Sequence, residues 1–274
     1  MKIAVLSGKG GTGKTTVAAS LASVVKSQYV DCDVEEPNGA LFLKPRITGV
    51  TPVEVPVPHV DASRCDGCGR CAEVCQFHAL SVVKGQVLAF PELCHHCGAC
   101  VIACPRDAVS ETNREIGVIE TDGADLFVQG RLHIGEPVSV PVIRALKKRM
   151  REDVPVILDC PPGSSCTVVA AVRDCDRCVL VTEPTPFGLH DLKIAVELVR
   201  GLCIPFGVVV NKAMAGDQRV QEYCAENGIA VLMEIPFSRE IAEGYSRGVL
   251  PVDAGDEWRD RFLSLYRAIG GETL

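Results

Sequence analysis

Residues 1–16, MKIAVLSGKGGTGKTT, decide the fold of this chain. The apolar run KIAVL (2–6) predicts a short buried strand, and TTVAASLASVV (15–25) has helical spacing. Between them Gly8, Gly13, Lys14 and Thr15 fit the pattern G-x-x-x-x-G-K-[ST]. Glycines let backbone N–H groups curl around a phosphate, and the following helix directs its N-terminus at the negative charge. The stretch therefore predicts a phosphate-binding loop between a strand and a helix.

The same alternation of strand and helix continues along the chain. β-Branched runs stop at polar or proline-rich corners in VPVILDCPPG (154–163), RCVLVTEPTP (177–186) and IPFGVVVNKA (204–213). PVIRALKKRM (141–150) and LHDLKIAVELVRGL (189–202) have helical spacing. Strands that are apolar on both faces and alternate with helices predict an α/β fold, with a mostly parallel sheet covered by helices on both faces.

Residues 61–112 interrupt this alternation with eight cysteines, in CDGCGRCAEVC (65–75) and CHHCGACVIAC (94–104). Both runs have the spacing C-x2-C-x2-C-x3-C, which is an internal repeat. The pieces LSVVK (80–84) and QVLAF (86–90) are strand-like, and the preceding proline-rich VTPVEVPVPHVD (50–61) should be extended. We predict a small α+β domain at 61–112, inserted into a discontinuous domain of residues 1–60 and 113–274.

Bulk composition excludes several classes of function. The formal charge of the 274 residues is −7, and no basic stretch offers a face for nucleic acid. No run approaches the roughly 20 apolar residues of a membrane span. Fifteen cysteines without a secretion signal indicate metal chemistry in a reducing cytoplasm. The C-terminal RFLSLYRAIGGETL (261–274) is predicted to pack as an amphipathic helix against the core.

Lys9 is a second lysine inside the loop, and KGGTGKT (9–15) resembles the deviant Walker A motif of the ATPase family that includes the nitrogenase iron protein, MinD, ParA and Mrp/Nbp35. The resemblance implies a P-loop NTPase fold with ATP and Mg²⁺ as cofactors. It implies that Lys14 contacts the β- and γ-phosphates, that Thr15 binds Mg²⁺, and that Lys9 reaches across a dimer to the partner's nucleotide. A solvated surface lysine is the alternative for Lys9. The loop residues implied to contact ATP are Gly8, Lys9, Gly10, Gly11, Thr12, Gly13, Lys14, Thr15 and Thr16.

Later residues match other functional positions of the same family. Asp33, in YVDCDVEEPN (29–38), is implied to position the attacking water near Mg²⁺, whereas Asp31 caps the strand end. Asp159 matches the second-switch aspartate, which reaches Mg²⁺ through water. Asn211 resembles the residue that recognises adenine, and Pro236 lies in IPFSREIAEGYSRGVLPV (235–252), which is similar to the final strand–helix signature. The implied catalytic residues are Lys9, Lys14, Asp33 and Asp159, and the implied Mg²⁺ residues are Thr15, Asp33 and Asp159.

The cysteine runs resemble those of bacterial ferredoxins, in which three cysteines of one run and the last cysteine of the other hold each [4Fe–4S] cluster. The resemblance assigns Cys65, Cys68, Cys71 and Cys104 to one cluster, and Cys75, Cys94, Cys97 and Cys100 to the other. Tetrahedral zinc is the rival metal. His95 and His96 are alternative ligands, although both sets of four thiols are complete without them.

Seven cysteines lie outside these runs. Cys32, Cys203 and Cys224 are predicted to be small buried hydrophobes. Cys175 and Cys178 form a C-x-x-C pair, and Cys166 follows Asp159 by seven residues, the spacing of an intersubunit cluster ligand in the nitrogenase iron protein. A bridging cluster at either place is an open alternative, with Cys160 as a possible second ligand beside Cys166.

Together these features resemble the MinD-superfamily ATPases that contain a ferredoxin domain, as does VTEPTPFGLHDL (181–192). The resemblance implies a cytoplasmic ATPase, homodimeric or paired with a paralogue, that gates electron delivery from its clusters to a partner metalloprotein. Two alternatives stay open. One is an assembly protein that delivers clusters or metal to a client, and the other is a nucleotide-switched positioning or regulatory protein.

Overall fold

The computed structural model describes residues 1–214 and 216–270. Its strands are β1 (Lys2–Leu6), β2 (Gln28–Asp31), β3 (Ile47–Val60), β4 (Leu80–Val83), β5 (Gln86–Ala89), β6 (Val109–Asp122), β7 (Phe127–Leu132), β8 (Val156–Asp159), β9 (Arg177–Thr182), β10 (Phe206–Ala213) and β11 (Val231–Pro236). Its α-helices are α1 (Lys14–Val25), α2 (Gly39–Leu43), α3 (Arg70–Glu73), α4 (Ala99–Ala103), α5 (Val140–Lys147), α6 (Cys166–Val172), α7 (Pro186–Gly201), α8 (Arg219–Glu226), α9 (Arg239–Ser246) and α10 (Asp256–Ala268).

The main sheet has the strand order β11-β10-β9-β1-β8-β2-β7-β6-β3. Every pair from β11 to β7 is parallel, which confirms the predicted α/β class. These strands carry continuous apolar runs because both faces of the sheet are covered. One core contains α1 and α10, and the other contains α5, α6, α7 and α8, so helices lie on both faces as predicted.

The last two strand pairs of the sheet depart from the parallel pattern. β6 pairs antiparallel with both β7 and β3, which adds a long hairpin at the edge of the sheet. The proline-rich stretch predicted to be extended is β3, and its pairing with β6 runs from Ile47 to Val60. The predicted domain boundary between residues 112 and 113 lies within β6, which pairs with β3 from Val109 onward.

The hairpin carries the cysteine-rich segment (residues 61–108) beyond the sheet. Val53 pairs with Gly117, which in turn pairs with Leu132 at the end of β7. From Val53, β3 continues for seven residues to Val60, about 23 Å at the rise of a strand. Because β3 is antiparallel to β6, and β6 to β7, β3 ends on the same side of the sheet as the parallel strands.

The cysteine-rich segment folds as two similar halves. Positive φ angles at Gly67, Gly69 and His78 recur 29 residues later at His96, Gly98 and Asp107. A short helix, α3 or α4, begins after Gly69 and Gly98 respectively. The strands β4 and β5 form a separate antiparallel hairpin, as their sequences predict. The repeat in the sequence is therefore also a repeat of backbone conformation.

Helix α10 includes residues 261–268 of the predicted amphipathic C-terminal segment. Phe262, Leu265 and Tyr266 are buried against the core, so this part of the chain packs as expected. Residues 271–274, which belong to the same predicted segment, lie outside the described residues.

Candidate nucleotide site and cysteine pockets

The predicted phosphate loop connects β1 to α1. Gly13 has φ +94° and precedes α1, whose first turn has no side-chain cap, so its N–H groups point into the loop. A Cβ at Gly13 would collide with the Asn211 amide, and one at Gly8 would collide with the backbone of Asp191. Both positions therefore require glycine, and the loop is packed tightly between β10 and α7.

Acidic side chains meet the loop at the carboxyl ends of β2 and β8. Lys14 Nζ lies 3.8 Å from Asp33 Oδ2 and 3.7 Å from Asp159 Oδ1. Burial alone would lower the pKa of Lys14, but these two carboxylates outweigh it and raise that pKa. The lysine is therefore charged, as a phosphate ligand must be.

Asp159 is a buried carboxylate suited to binding a cation. It is fully buried, and its Oδ2 accepts a hydrogen bond from the Tyr29 hydroxyl at 2.9 Å. Within the described residues its Oδ1 accepts no hydrogen bond. Burial raises the pKa of Asp33 to about 6, with Lys14 opposing and Asp159 adding to the rise. This acidic pair, with the Thr15 hydroxyl on α1, offers the oxygen ligands that Mg²⁺ prefers.

Asp31 has the structural role predicted for it. Its carboxylate accepts hydrogen bonds from the backbone of Asp33 at 3.2 Å and Gly39 at 2.9 Å. Asp31 is fully buried and caps the turn after β2.

Asn211 lies near the carboxyl end of β10, and Pro236 is the last residue of the neighbouring strand β11. The Asn211 Nδ2 donates to the Thr12 carbonyl at 2.7 Å, and its Oδ1 accepts from the Lys212 N–H at 2.9 Å. The amide is thus bonded to the loop backbone. Pro236 lines a cavity together with Ile241, Leu250 and Trp258.

Lys9 lies against a carboxylate that the sequence patterns did not indicate. Its Nζ forms an ion pair with Glu183, the residue directly after β9. The other oxygen of Glu183 binds Lys212 Nζ at 3.2 Å, and Lys212 also donates to the Gly11 carbonyl at 2.9 Å. A single carboxylate thus holds two lysines beside the loop.

The eight cysteines of the cysteine-rich segment divide between two pockets. Cys65, Cys68, Cys71 and Cys104 line one pocket, and Cys75, Cys94, Cys97 and Cys100 line the other. In each pocket one cysteine comes from the opposite run. The two crossing cysteines, Cys75 and Cys104, each accept a backbone N–H from four residues later at 3.3 Å. The pocket with Cys75 is lined by Pro56 and Pro58 of β3, and we call it the proximal pocket. We call the pocket with Cys104 the distal pocket.

Each pocket offers four thiols, the donor set that a [4Fe–4S] cluster and a tetrahedral zinc ion both use. In the described parts of the chain, no three His, Cys, Asp or Glu side chains converge closely enough to hold a single metal ion. His95 stacks on Phe77, and His96 Nδ1 lies 3.1 Å from the Pro56 carbonyl, so both rings have other partners.

The remaining cysteines fall into two groups. Cys32, Cys160, Cys175, Cys178 and Cys224 are buried, and burial raises the pKa of each of their thiols. Cys166 is exposed at the start of α6. The prediction that Cys203 is buried is wrong: it lies past the end of α7 in a turn with φ +57°, where its side chain is exposed.

A chain of contacts runs from the turn after β2 to the proximal pocket. The Ser139 hydroxyl donates to Glu35 at 3.2 Å, two residues beyond Asp33. In the same β7–α5 loop, Glu136 accepts both arms of Arg114 at 2.7 and 2.6 Å. Arg114 Nη2 also donates to the Pro91 carbonyl at 3.3 Å, just before Cys94.

The fold and the loop define a P-loop nucleotide-binding α/β protein. The model of the CobQ/CobB/MinD/ParA nucleotide-binding domain matches residues 3–252, and the chain belongs to that family. Among solved structures, the Pyrococcus horikoshii septum site-determining protein MinD, complexed with Mg-ADP, has a TM-score of 0.58 at 18% identity, covering 98% of this chain and 95% of the other. That likeness concerns the fold.

Three relatives extend the comparison. An uncharacterized protein of Methanocaldococcus jannaschii is 30% identical over 262 residues, 90% of each chain. An iron-sulfur cluster carrier protein of Pyrococcus abyssi is 25% identical over 281 residues, covering 93% of this chain and 80% of the relative. An uncharacterized ferredoxin of M. jannaschii is 41% identical over 54 residues, which cover 18% of this chain and 70% of that protein. Within the described residues, no helix is long and apolar enough to cross a membrane.

Proposed function

We propose that this chain is a dimeric iron–sulfur ATPase that couples its nucleotide state to electron transfer to a partner metalloprotein. One observation carries the proposal: a phosphate loop and two four-thiol pockets lie on the same side of one sheet. The hairpin of β3 and β6 joins them, and the chain passes from the acidic turn at Asp33 through α2 to the start of β3 at Ile47. In this proposal the turn after β2 responds to the nucleotide, and the cysteine-rich segment carries the electrons.

The nucleotide half of the proposal assigns one role to each residue. Lys14 and the N–H groups of the loop bind the phosphates, and Asn211 and Pro236 border the base. Thr15, Asp33 and Asp159 would hold Mg²⁺, which supplies charge neutralisation when bound. Asp33 orients the attacking water, and Lys9 acts on the nucleotide of a second copy, as an arginine finger does.

The redox half of the proposal rests on the thiols. The distal pocket and the proximal pocket would each hold a [4Fe–4S] cluster, which supplies one-electron storage when bound. The repeat of backbone conformation, the crossing cysteines and the local match to a ferredoxin support this assignment over zinc. Backbone N–H groups donate to Cys75, Cys94 and Cys104, and hydrogen bonds to the sulfurs are one of the features that set the potential of a bound cluster.

Coupling between the halves is carried by side chains at the base of the hairpin. A shift of Asp33 on nucleotide binding would move Glu35, which accepts the Ser139 hydroxyl, and so displace the β7–α5 loop. The β7–α5 loop transmits the shift through Glu136 to Arg114, beside the proximal pocket. Interface packing of this kind has discrete arrangements, so a small shift at one end can alter exposure at the other.

A second candidate is an iron–sulfur carrier that uses ATP to load or release clusters. The similarity to the P. abyssi carrier protein over most of both chains favours it. In that function the two pockets hold cargo, and the clusters leave the protein during turnover.

One experiment separates the two candidates. Anaerobically reconstituted protein is reduced with dithionite, desalted and mixed with Mg·ATP and a one-electron acceptor dye, while visible absorbance and bound iron are followed. An electron donor reduces the dye faster with ATP and keeps its iron. A carrier loses iron and absorbance to an added apo-ferredoxin, and ATP-independent dye reduction with full iron retention contradicts both.

A further inference from the structure

Glu183 is a carboxylate that the assignments above leave without a role. Its side chain is 14% exposed, and its two oxygens pair with Lys9 and Lys212. Burial alone would raise the pKa of Glu183, but the hydrogen bonds from the two lysines lower it, so the group is ionised. An ionised, largely buried carboxylate between two cations is held in place by charge and geometry together.

The corner that carries Glu183 is itself fixed against the loop. Thr185 donates its N–H to the Glu183 carbonyl at 2.8 Å, and its hydroxyl accepts the Gly188 N–H at 2.9 Å. Gly188 approaches the Glu183 carbonyl so closely that a Cβ would collide with it, and Gly8 approaches α7 in the same way. The carboxylate therefore cannot follow Lys9 far from this position.

The two contacts required of Lys9 lie in different subunits. In the proposed function it must reach the nucleotide of a second subunit, and the contact with Glu183 keeps it within its own. We propose that Glu183 is a positioning residue that retains Lys9 in the single subunit until a second, ATP-loaded copy of this chain offers its phosphates as a stronger anionic partner. The inference rests on the proposed function, because it assumes that Lys9 acts across a dimer.

The contact with Glu183 then opposes dimer closure, since closure must first break it. Neutralising Glu183 removes this opposition and leaves the phosphate ligands in place. Lys212 provides the matched control, because it shares the same carboxylate but holds the Gly11 carbonyl instead of facing a partner. Substituting Lys212 should weaken the loop and leave Lys9 bound.

The test compares wild type with E183Q, E183D and K212M as full chains. Sedimentation with a non-hydrolysable ATP analogue gives the protein concentration at half-dimerisation, and ATPase assays give kcat and KM. E183Q should lower the half-dimerisation concentration about twofold to thirtyfold, because closure breaks one partly exposed ion pair in each of the two subunits. E183D retains the charge and should stay near wild type, and K212M should raise the KM for ATP without promoting dimerisation. Thermal melts check that each variant is folded.

Each outcome decides the inference. If E183Q leaves half-dimerisation unchanged or weakens it, or if E183Q and K212M behave alike, Glu183 is only a brace for the loop and the inference fails alone. If wild-type protein neither dimerises with the analogue nor hydrolyses ATP, the proposed function fails and takes the inference with it.

Discussion

At the scale of single residues, the nucleotide site is a balance of buried charges. Lys14 faces Asp33 and Asp159, Lys9 faces Glu183, and one oxygen of Asp159 has no hydrogen bond within the described chain. Both lysines therefore have carboxylate partners that bound phosphates would replace. The two lysines nevertheless differ in their expected roles, and substitution can distinguish them.

Substituting Lys9 should separate hydrolysis from binding. We expect K9A to lower kcat by at least about 100-fold, because a lysine that acts as an arginine finger stabilises charge only in the transition state. The Kd for Mg·ATP, measured by calorimetry, should stay within about threefold of wild type. K14A is the control and should lose both properties. Equal loss of binding in K9A and K14A would refute a role across a dimer.

Asp33 should make the nucleotide-free protein sensitive to pH. Its pKa is raised to about 6 in the folded chain, so the folded state binds more protons than the unfolded state between the unfolded value and pH 6. The free energy of unfolding then falls as pH rises through this window, and above the window the full loss of stability is present. We expect D33N to raise the free energy of unfolding by about 1–2 kcal/mol at pH 7.5, with a smaller gain at pH 5.

The measurement is thermal or denaturant unfolding of nucleotide-free protein at both pH values. An equal gain at both would contradict the raised pKa. The same variant should lose ATP hydrolysis, which distinguishes a functional carboxylate from a merely unfavourable one.

At the scale of elements, the hairpin of β3 and β6 sets the position of the cysteine-rich segment. The two crossing cysteines mean that neither half of the segment can complete a pocket alone. Loss of one thiol should therefore affect one pocket and leave the other competent.

Cys97 tests this division of the thiols. We expect C97S to reduce bound iron after anaerobic reconstitution from about eight to about four per chain, because one of two four-iron sites is lost. C203S removes an exposed cysteine outside the segment and should retain all the iron. Unchanged iron content in C97S would contradict the assignment of the proximal pocket.

Arg114 tests the coupling through the base of the hairpin. We expect R114M and E136Q to retain iron and ATP hydrolysis but to lose most of the effect of Mg·ATP on the EPR spectrum of the reduced protein. The reason is that each variant breaks the bidentate pair between β6 and the β7–α5 loop. R114K keeps the charge without the bidentate fork and should be intermediate. A full nucleotide effect in R114M would place the coupling elsewhere.

At the scale of the whole molecule, local patterns in the sequence predicted the parallel half of the sheet and the strand–loop–helix at residues 1–25. Those features depend on apolar periodicity and glycine spacing, which are local. The antiparallel strands β3, β6 and β7 were not predicted to pair, because pairing partners are set by tertiary packing and not by propensity.

In the candidate site, too, the local features could be predicted from the sequence and the long-range contacts could not. Motif spacing indicated the loop and the eight thiols, and the family resemblance implied the switch aspartates, but the resemblance of residues 181–192 assigned no role to Glu183. Its contact with Lys9 joins residues 174 positions apart, and only the folded sheet brings their strands together. The exposure of Cys203 was missed for a related reason, since the end of α7 depends on a turn that the helical spacing does not reveal.

The central claim is that nucleotide state and cluster state are coupled within one chain. The most direct test is the iron content and EPR spectrum of anaerobically purified, dithionite-reduced protein with and without Mg·ATP. We predict about eight irons per chain and the signals of two interacting [4Fe–4S]⁺ clusters that shift when Mg·ATP is added. Two clusters whose spectrum is indifferent to Mg·ATP would contradict the coupling and favour the carrier function.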